Sequence, residues 1–237
     1  MPATDTTAQN RQMQRMDSSP SGEISGTAAA EPIDAVASTA LANDFPARPF
    51  LSTRRLRLRE LCLGDIPALT AMNANADVAR SLVEPCPTDY LGVARIIFHA
   101  NACYLTRPGL GVWHASDLEG RFVGVFSLMP IEGSDEVEIG TRLCPRTWGR
   151  LYPIEGGRAL CAHAFETVGL PRLLGLCHPD NRAVPAILRR LGFTAAGETL
   201  HFGHRALHFV LQREAWYAQP DSRRDQRGVE PSTEGAA

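Results

Sequence analysis

The sequence predicts an α/β (α+β) fold in which short strands and amphipathic helices alternate along one domain. Runs of alternating apolar and polar residues, typical of half-buried strands, recur through the compact part of the chain. Between them lie segments with the helical spacing of apolar residues, which begin near capping residues and end at glycine. Taken in order, the predicted elements read β, α, α, β, β, β, α, β, α, β, β.

The first half contributes three strands and two helices. A half-buried strand lies within residues 56–61, and Asp65 is predicted to cap a short helix that has proline in its first turn. A second helix runs over Thr88–Leu105. Strands follow at Gly111–Ser116 and Phe122–Ile131. The last of these is almost continuously apolar, which predicts a central position in the sheet.

The second half contributes a strand ending at Cys144, then a helix, a strand, a short helix and a hairpin. Gly169 and Gly192 follow the two helices and are predicted to terminate them. The predicted ranges are Ile154–Val168 for the helix, Arg172–Cys177 for the strand, a helix ending at Leu191, and Phe193–Phe202 with Arg205–Leu211 for the hairpin.

Composition excludes several classes of protein. The 237 residues are 44% hydrophobic and 21% charged. The formal net charge of -2 argues against nonspecific binding to nucleic acids, which requires an excess of positive charge. No apolar run approaches the roughly 20 residues that cross a bilayer, and no secretory signal is recognisable. The six cysteines are scattered without metal-ligand spacing, which favours free thiols in a reducing compartment. We therefore predict a cytoplasmic protein with neither nucleic-acid nor membrane partners.

The domain organisation is predicted from the distribution of large apolar residues. Residues 1–48 are rich in Ala, Ser, Thr, Asp and Pro, so we predict a disordered N-terminal extension. A transit peptide is the alternative, but the acidic residues of this segment argue against it. Residues 49–217 form the predicted domain, and 218–237 a flexible C-terminal tail.

The segment Glu138–Gly157 has the organisation of an anion-binding turn. A strand ends at Cys144, a loop containing Arg146 and Arg150 follows, and a helix begins near Pro153. Free backbone N–H groups and the positive end of the helix dipole meet at such a turn. The two arginines add donors for a phosphate clamp, although solvated loop charges are the alternative interpretation.

Four phrases of the chain, in this order and spacing, resemble the GNAT superfamily of N-acetyltransferases and most closely its RimJ/RimL-type branch. The resemblance extends over essentially all of residues 51–216. The phrases are LSTRRLRLRELCLGDIPAL at Leu51–Leu69, EVEIGTRLCPRTWGR at Glu136–Arg150, HPDNRA at His178–Ala183 and LRRLGF at Leu188–Phe193.

The resemblance implies a mixed, mostly antiparallel sheet flanked by helices and splayed where acetyl-CoA, the acetyl donor, binds. The pantetheine arm would pair with strand backbone in the splay, the pyrophosphate would lie on the loop before the helix, and Asn181 would contact the coenzyme arm or cap the next helix. The residues implied to bind acetyl-CoA are Leu143, Arg146, Trp148, Gly149, Arg150, Leu151, Tyr152, Pro153 and Asn181.

Two residues depart from the family pattern in that loop. Leu151 and Pro153 stand where the family has a Gly-x-Gly or Gly-x-Ala turn. Leucine disfavours positive φ, and proline removes one N–H that the family offers to phosphate. Losing one such donor costs about 1.5–3 kcal/mol. These departures predict an altered coenzyme site.

Catalysis is expected to depend on a carboxylate of the central strand. Glu138 resembles the family glutamate that deprotonates the amine, directly or through water. The alternative interpretation is that Glu138 is a solvated residue on the polar face of an alternating strand. Glu136 is the substitute candidate. A backbone N–H near Arg142 or Leu143 would stabilise the oxyanion. The family tyrosine that protonates the thiolate is missing, because Leu188 lies at about that place.

The sequence therefore predicts an N-acetyltransferase that acts on a primary amine, either a protein N-terminus or a small molecule. The alternative is a binding or regulatory protein of the same fold that has lost efficient transfer. We predict no metal site, because His201, His204 and His208 lack an evident fourth ligand. A homodimer is compatible with the resemblance, and nothing in the sequence decides it.

Overall fold

A computed structural model describes residues 47–201 and 203–220. The predicted N-terminal extension, 1–48, and the predicted tail, 218–237, lie almost entirely outside the described residues. Within the described part, strands and helices fold as one mixed α/β unit.

Eight strands form a single open sheet, and their spatial order is β1-β2-β3-β4-β5-β6-β8-β7. Every neighbouring pair is antiparallel except β5 and β6, which run parallel. The strands are β1 Pro49–Ser52, β2 Arg57–Glu60, β3 Gly111–Ser116, β4 Phe122–Pro130, β5 Val137–Leu143, β6 Arg172–Cys177, β7 Thr194–His201 and β8 His204–Gln212. The central position predicted for β4 and the mixed, mostly antiparallel sheet are confirmed.

Helices flank the sheet. They are α1 Ile66–Asn73, α2 Ala76–Ala79, α3 Tyr90–Thr106, α4 Tyr152–Ala162, α5 Ala183–Leu191 and α6 Arg213–Tyr217. Short 3-10 turns lie at Leu63–Asp65 and Pro145–Thr147, and a π-helical turn, His163–Thr167, extends α4. Gly169 and Gly192 follow α4 and α5 at positive φ, as the sequence predicted for helix termination.

Asp65 precedes α1 as predicted, but its carboxylate does not cap that helix. It accepts two hydrogen bonds from the Arg59 guanidinium, at 2.8 and 2.6 Å, and one from the Cys62 N–H at 2.9 Å. Burial is the largest single influence on the pKa of Asp65 and would raise it. The hydrogen bonds from Arg59 and Cys62 together outweigh burial, so the pKa is lowered. The role of Asp65 is therefore to tie β2 to the turn before α1.

Two buried apolar clusters hold the helices to the sheet. One contains Trp113, Phe126 and Leu160, and the other packs Ile97 of α3 and its neighbours against Val125 of β4. Val125 and Phe126 belong to different clusters because successive side chains of a strand point to opposite faces. Helix α4 approaches the sheet closely at Gly156, where a Cβ atom would lie 2.3 Å from the Phe126 ring.

Strands β5 and β6 separate almost as soon as they meet. Their register has a single pair, Glu138 with Leu174, whereas β4 and β5 pair continuously from Gly124–Leu143 to Pro130–Val137. Backbone groups of β5 beyond Glu138 therefore lack a strand partner on the β6 side. This divergence opens the middle of the sheet.

Candidate active site

The divergence of β5 and β6 lies in the wall of a cleft of about 830 Å³. One part of its wall comes from the segment that joins α2 to α3, and the other from α4, α5 and the turn before α5. Apolar side chains predominate, among them Val112, Val125, Ile139, Leu143, Ile187 and Leu188. Polar and charged side chains also line the cleft, and Glu138, Thr141 and Arg142 come from β5.

Glu138 lies on β5 inside this cleft, with its side chain 24% exposed. Burial, and then the negative charge of Glu84, raise its pKa from 4.5 to about 7. The Nε2 atom of His201 is 3.8 Å from a Glu138 carboxyl oxygen, and burial lowers the pKa of that imidazole. A carboxyl group with this pKa is matched to accepting protons near neutral pH.

The structure does not bring Glu136 to the same place. Glu136 precedes β5 and does not line the cleft. Its carboxylate receives hydrogen bonds of 2.9 Å at both oxygens from the Arg172 Nε, and this pairing lowers its pKa. The two candidate bases thus have different surroundings. Glu136 is ionised in a surface ion pair, whereas Glu138 lies inside the cleft with a raised pKa.

The loop between β5 and α4 turns through two residues at positive φ, Gly149 at 76° and Leu151 at 61°. Leu151 is the only non-glycine residue with positive φ in the described part of the chain. A left-handed conformation costs a leucine about 1–2 kcal/mol. The chain therefore keeps a glycine-like turn without a glycine, and strain of this kind is typical of functional loops.

The start of α4 offers fewer free donors than a usual helix N-terminus. Tyr152 is its first residue and Pro153, which has no N–H, its second. The N–H groups of Ile154 and Glu155 both donate to the Leu151 carbonyl, at 3.1 Å each. The Tyr152 side chain is buried and packs beneath the Arg55 guanidinium. A phosphate at this end would depend on backbone groups of the loop and on nearby arginines.

The two arginines of the loop lie on a separate, smaller cavity of about 240 Å³. Arg146 and Arg150 line it together with Arg121 and Tyr152, and the Arg146 guanidinium donates to the Phe122 carbonyl. Neither arginine lines the larger cleft. The structure thus places the predicted clamp beside the loop rather than within the cleft.

Trp148, Gly149 and Pro153 do line the larger cleft, as does Leu143. The indole N–H of Trp148 donates to the Leu143 carbonyl over 3.0 Å, while the ring remains 47% exposed. This hydrogen bond ties the loop to the end of β5.

Asn181 lines the cleft in the turn before α5. Its Oδ1 accepts the N–H groups of Ala183 and Val184 at 3.2 Å each, and its Nδ2 donates to the Ser81 carbonyl at 3.1 Å. The side chain therefore caps α5 and joins the two walls of the cleft.

Sequence reasoning missed many polar residues of the cleft, among them Glu84, Cys86 and the side chain of Arg142. For Arg142 a signal existed, because it lies four residues after Glu138 and so shares its face of β5. His201 had been considered only as a metal ligand. No group of three or more His, Cys, Asp or Glu side chains in residues 47–201 and 203–220 is arranged to hold a metal ion. None of the described helices is long and apolar enough to span a membrane.

Comparison with known proteins identifies the kind of domain that these elements form. Residues 55–194 match the family model described as the acetyltransferase (GNAT) domain. The structure is similar to an acetyltransferase from Agrobacterium tumefaciens, with 26% sequence identity, a TM-score of 0.61, and coverage of 71% of this chain and 95% of that one. It also resembles Mycobacterium smegmatis RimJ in complex with CoA-disulfide, with 18% identity, a TM-score of 0.60, and coverage of 75% and 91%.

A curated relative resembles part of the sequence. It is the FsC-acetyl coenzyme A-N(2)-transacetylase of Aspergillus fumigatus, 34% identical over 100 residues. The match covers 39% of this chain and 42% of the length of the relative.

Proposed function

This chain belongs to the GNAT acetyltransferase family, and from that premise we propose that it transfers an acetyl group from acetyl-CoA to a primary amine. The observation that carries the proposal is the Glu138 carboxyl group, whose pKa is raised to about 7 inside a cleft at the divergence of β5 and β6. The acceptor is a protein N-terminus or a small amine. The name of the Aspergillus protein, an acetyl coenzyme A-N(2)-transacetylase, supports transfer to a nitrogen atom, and the Mycobacterium RimJ has a similar fold.

The residues of the cleft fit the coenzyme. The unpaired backbone of β5 beyond Glu138 offers hydrogen bonds to the amides of the pantetheine arm, as an absent strand would. Apolar side chains of α5, Ile187 and Leu188, lie along the same cleft. The loop from Trp148 to Pro153, with its left-handed residue Leu151, would hold the pyrophosphate, and Arg146 and Arg150 would compensate for the N–H that Pro153 lacks.

Acetyl-CoA supplies an activated acetyl thioester, whose C–S bond breaks as the N–C bond to the amine forms. The chain has to remove a proton from the incoming ammonium group, and Glu138 accepts it, directly or through a water molecule. His201, next to Glu138, offers a route for that proton to solvent. A backbone N–H near Arg142 or Leu143 stabilises the negative charge that develops on the carbonyl oxygen.

Among residues 47–201 and 203–220, no tyrosine lines the cleft to protonate the leaving sulfur. Leu188 stands at about that position, and Tyr152 is buried under Arg55. A thiol with an ordinary pKa near 8.5 leaves as the thiolate at moderate cost in rate and takes its proton from water. In this proposal Glu138 deprotonates the acceptor amine, and no side chain acts as a general acid towards the leaving thiolate.

The direct test is a thiol-release assay of the full-length protein with acetyl-CoA and a panel of peptides and small amines. We expect acceptor-dependent release of CoA, and a decrease of roughly 10²- to 10⁴-fold in kcat for Glu138→Gln with acetyl-CoA binding retained. Acetyl-CoA binding without turnover on any amine would instead support the binding or regulatory alternative. Equal activity of Glu138→Gln and wild type would refute the assignment of the base.

A further inference from the structure

The Arg142 side chain lies in the cleft. Within the part of the chain that the structure describes, its guanidinium makes one hydrogen bond, to the Cys86 sulfur, and its Nε atom is buried without a hydrogen-bond partner. No carboxylate in residues 47–201 and 203–220 lies within 4.0 Å of it. Arg142 therefore differs from Arg55 and Arg59, which pair with Glu155 and Asp65 at 2.6 Å.

Such a guanidinium is incompletely satisfied by the protein. It carries five N–H donors in a planar fork, and a thiol is a weak acceptor. A buried hydrogen-bond donor without a partner costs the folded state free energy, and the cost is larger for a charged group than for a neutral one. An anion arriving in the cleft would recover that free energy, and a planar carboxylate matches the geometry of the fork.

Two charged side chains of the cleft, Glu138 and Arg142, share one face of β5. Glu138 and Glu84 are close enough for the charge of Glu84 to raise the pKa of Glu138. Arg142 lies four residues further along the same face of β5, so the two Cα atoms are roughly 13 Å apart. Gly140 lies between them, and the Ser127 side chain of β4 fills the space where a Cβ atom of residue 140 would lie. One end of this face therefore suits an ammonium group and the other an anion.

We propose that Arg142 binds a carboxylate of the acceptor, so that the substrate carries its amine towards Glu138 and an acidic group towards Arg142. The inference depends on the proposed acetyl transfer and specifies its acceptor. The carboxylate belongs either to a small amino acid or to an acidic side chain near the N-terminus of a peptide. Arg142 is a specificity-determining residue in this account, and it takes no part in proton transfer.

The first arm of the test uses small acceptors with the full-length protein and saturating acetyl-CoA. A series of ω-amino acids, from β-alanine to ε-aminocaproate, is compared with ω-amino carboxamides of the same lengths. We expect kcat/KM for the preferred amino acid to exceed that of its carboxamide by roughly ten- to a hundredfold. The preferred length reports the separation of the two ends of the site.

The second arm uses short peptides that differ only by Asp or Asn, or by Glu or Gln, in the first residues. A preference confined to the acidic peptides identifies a peptide acceptor, and one confined to the amino acids identifies a small acceptor. Equal kcat/KM for both members of every pair, in both arms, overturns the inference.

Three variants assign the preference to Arg142. Arg142→Gln is expected to abolish this preference by raising KM for the carboxylate acceptor to about that of the carboxamide. Arg142→Lys should retain part of it, because lysine keeps the charge without the fork. Arg205→Gln, which removes an exposed guanidinium paired with Glu198 outside the cleft, is the matched control and should retain it fully. A preference that survives Arg142→Gln overturns the inference.

Failure of the proposed function gives a different result. A wild-type protein that acetylates no acceptor contradicts acetyl transfer, and the carboxylate site is then tested by calorimetric titration of the same amino acids and carboxamides in the presence of acetyl-CoA. Carboxylate binding that requires Arg142 supports the inference without turnover. Carboxylate binding that is unaffected by Arg142→Gln, or the absence of any binding, overturns it. Loss of acetyl-CoA binding in Arg142→Gln also overturns it, since Arg142 would then serve the coenzyme.

Discussion

Replacing Glu138 by glutamine is expected to stabilise the folded protein at neutral pH while it removes catalysis. Burial and the charge of Glu84 raise the pKa of Glu138 from 4.5 to about 7. Each unit of pKa difference between the folded and unfolded states corresponds to about 1.36 kcal/mol. The ionised carboxylate therefore costs the folded state about 3 kcal/mol, a cost that a neutral glutamine of the same shape avoids.

The direction of the pH dependence follows from the raised pKa. The folded protein binds the Glu138 proton more tightly than the unfolded chain does, so the stability contributed by this group is full below about pH 4.5. It decreases as the pH rises towards the folded pKa, and it is lost above about pH 7. The difference in free energy of unfolding between Glu138→Gln and wild type should thus increase by about 2–3 kcal/mol between pH 5 and pH 8.

The assay is urea unfolding of both proteins across this pH range, with Glu136→Gln as the comparison. Glu136 is ionised in a surface ion pair with Arg172, so its replacement should cost about 0–1 kcal/mol and leave the free-energy difference nearly independent of pH above about pH 5. A constant difference for Glu138→Gln over the whole range would refute the reasoning, because Glu138 would then ionise as it does in water. A large loss of turnover in Glu136→Gln would transfer the role of the base to Glu136.

Further predictions concern the same cleft. In wild type, kcat/KM should rise with pH and level off above about pH 7, as Glu138 becomes the carboxylate; a profile without an inflection there would contradict its role. Leu151→Gly should raise the free energy of unfolding by about 1 kcal/mol, because the relief of the left-handed strain exceeds the added entropy of the unfolded chain, as urea titration can show. Pro153→Ala should lower the Kd for acetyl-CoA roughly tenfold in calorimetry, because it restores one N–H donor. Asn181→Ala should cost about 1 kcal/mol of stability through the lost cap of α5.

Much of the fold was predictable because its signals are local. The strand predicted at Arg172–Cys177 has those bounds in the structure, and the helix predicted to stop at Gly192 ends at Leu191. Strand β1, with four residues, and helices α2 and α6, with four and five, were missed.

The candidate site was less predictable, because its geometry depends on contacts between distant residues. The sequence offered Glu138 and Glu136 as candidate bases, but only the fold brings Arg172 to Glu136 and leaves Glu138 in the cleft. Leu151 was expected to disfavour a left-handed turn, yet the fold imposes that conformation. The contact of Arg142 with Cys86 joins residues 56 apart in sequence, which no spacing rule reveals.

Calorimetric titration of acetyl-CoA into the full-length protein tests the central claim most directly, since every step proposed here begins with acetyl-CoA in the cleft between β5 and β6. The account predicts saturable binding at one site per chain, retained in Glu138→Gln. The absence of binding by the wild-type protein would contradict the account, and recovery of binding in Leu151→Gly/Pro153→Ala would show that these two residues have disabled the coenzyme site.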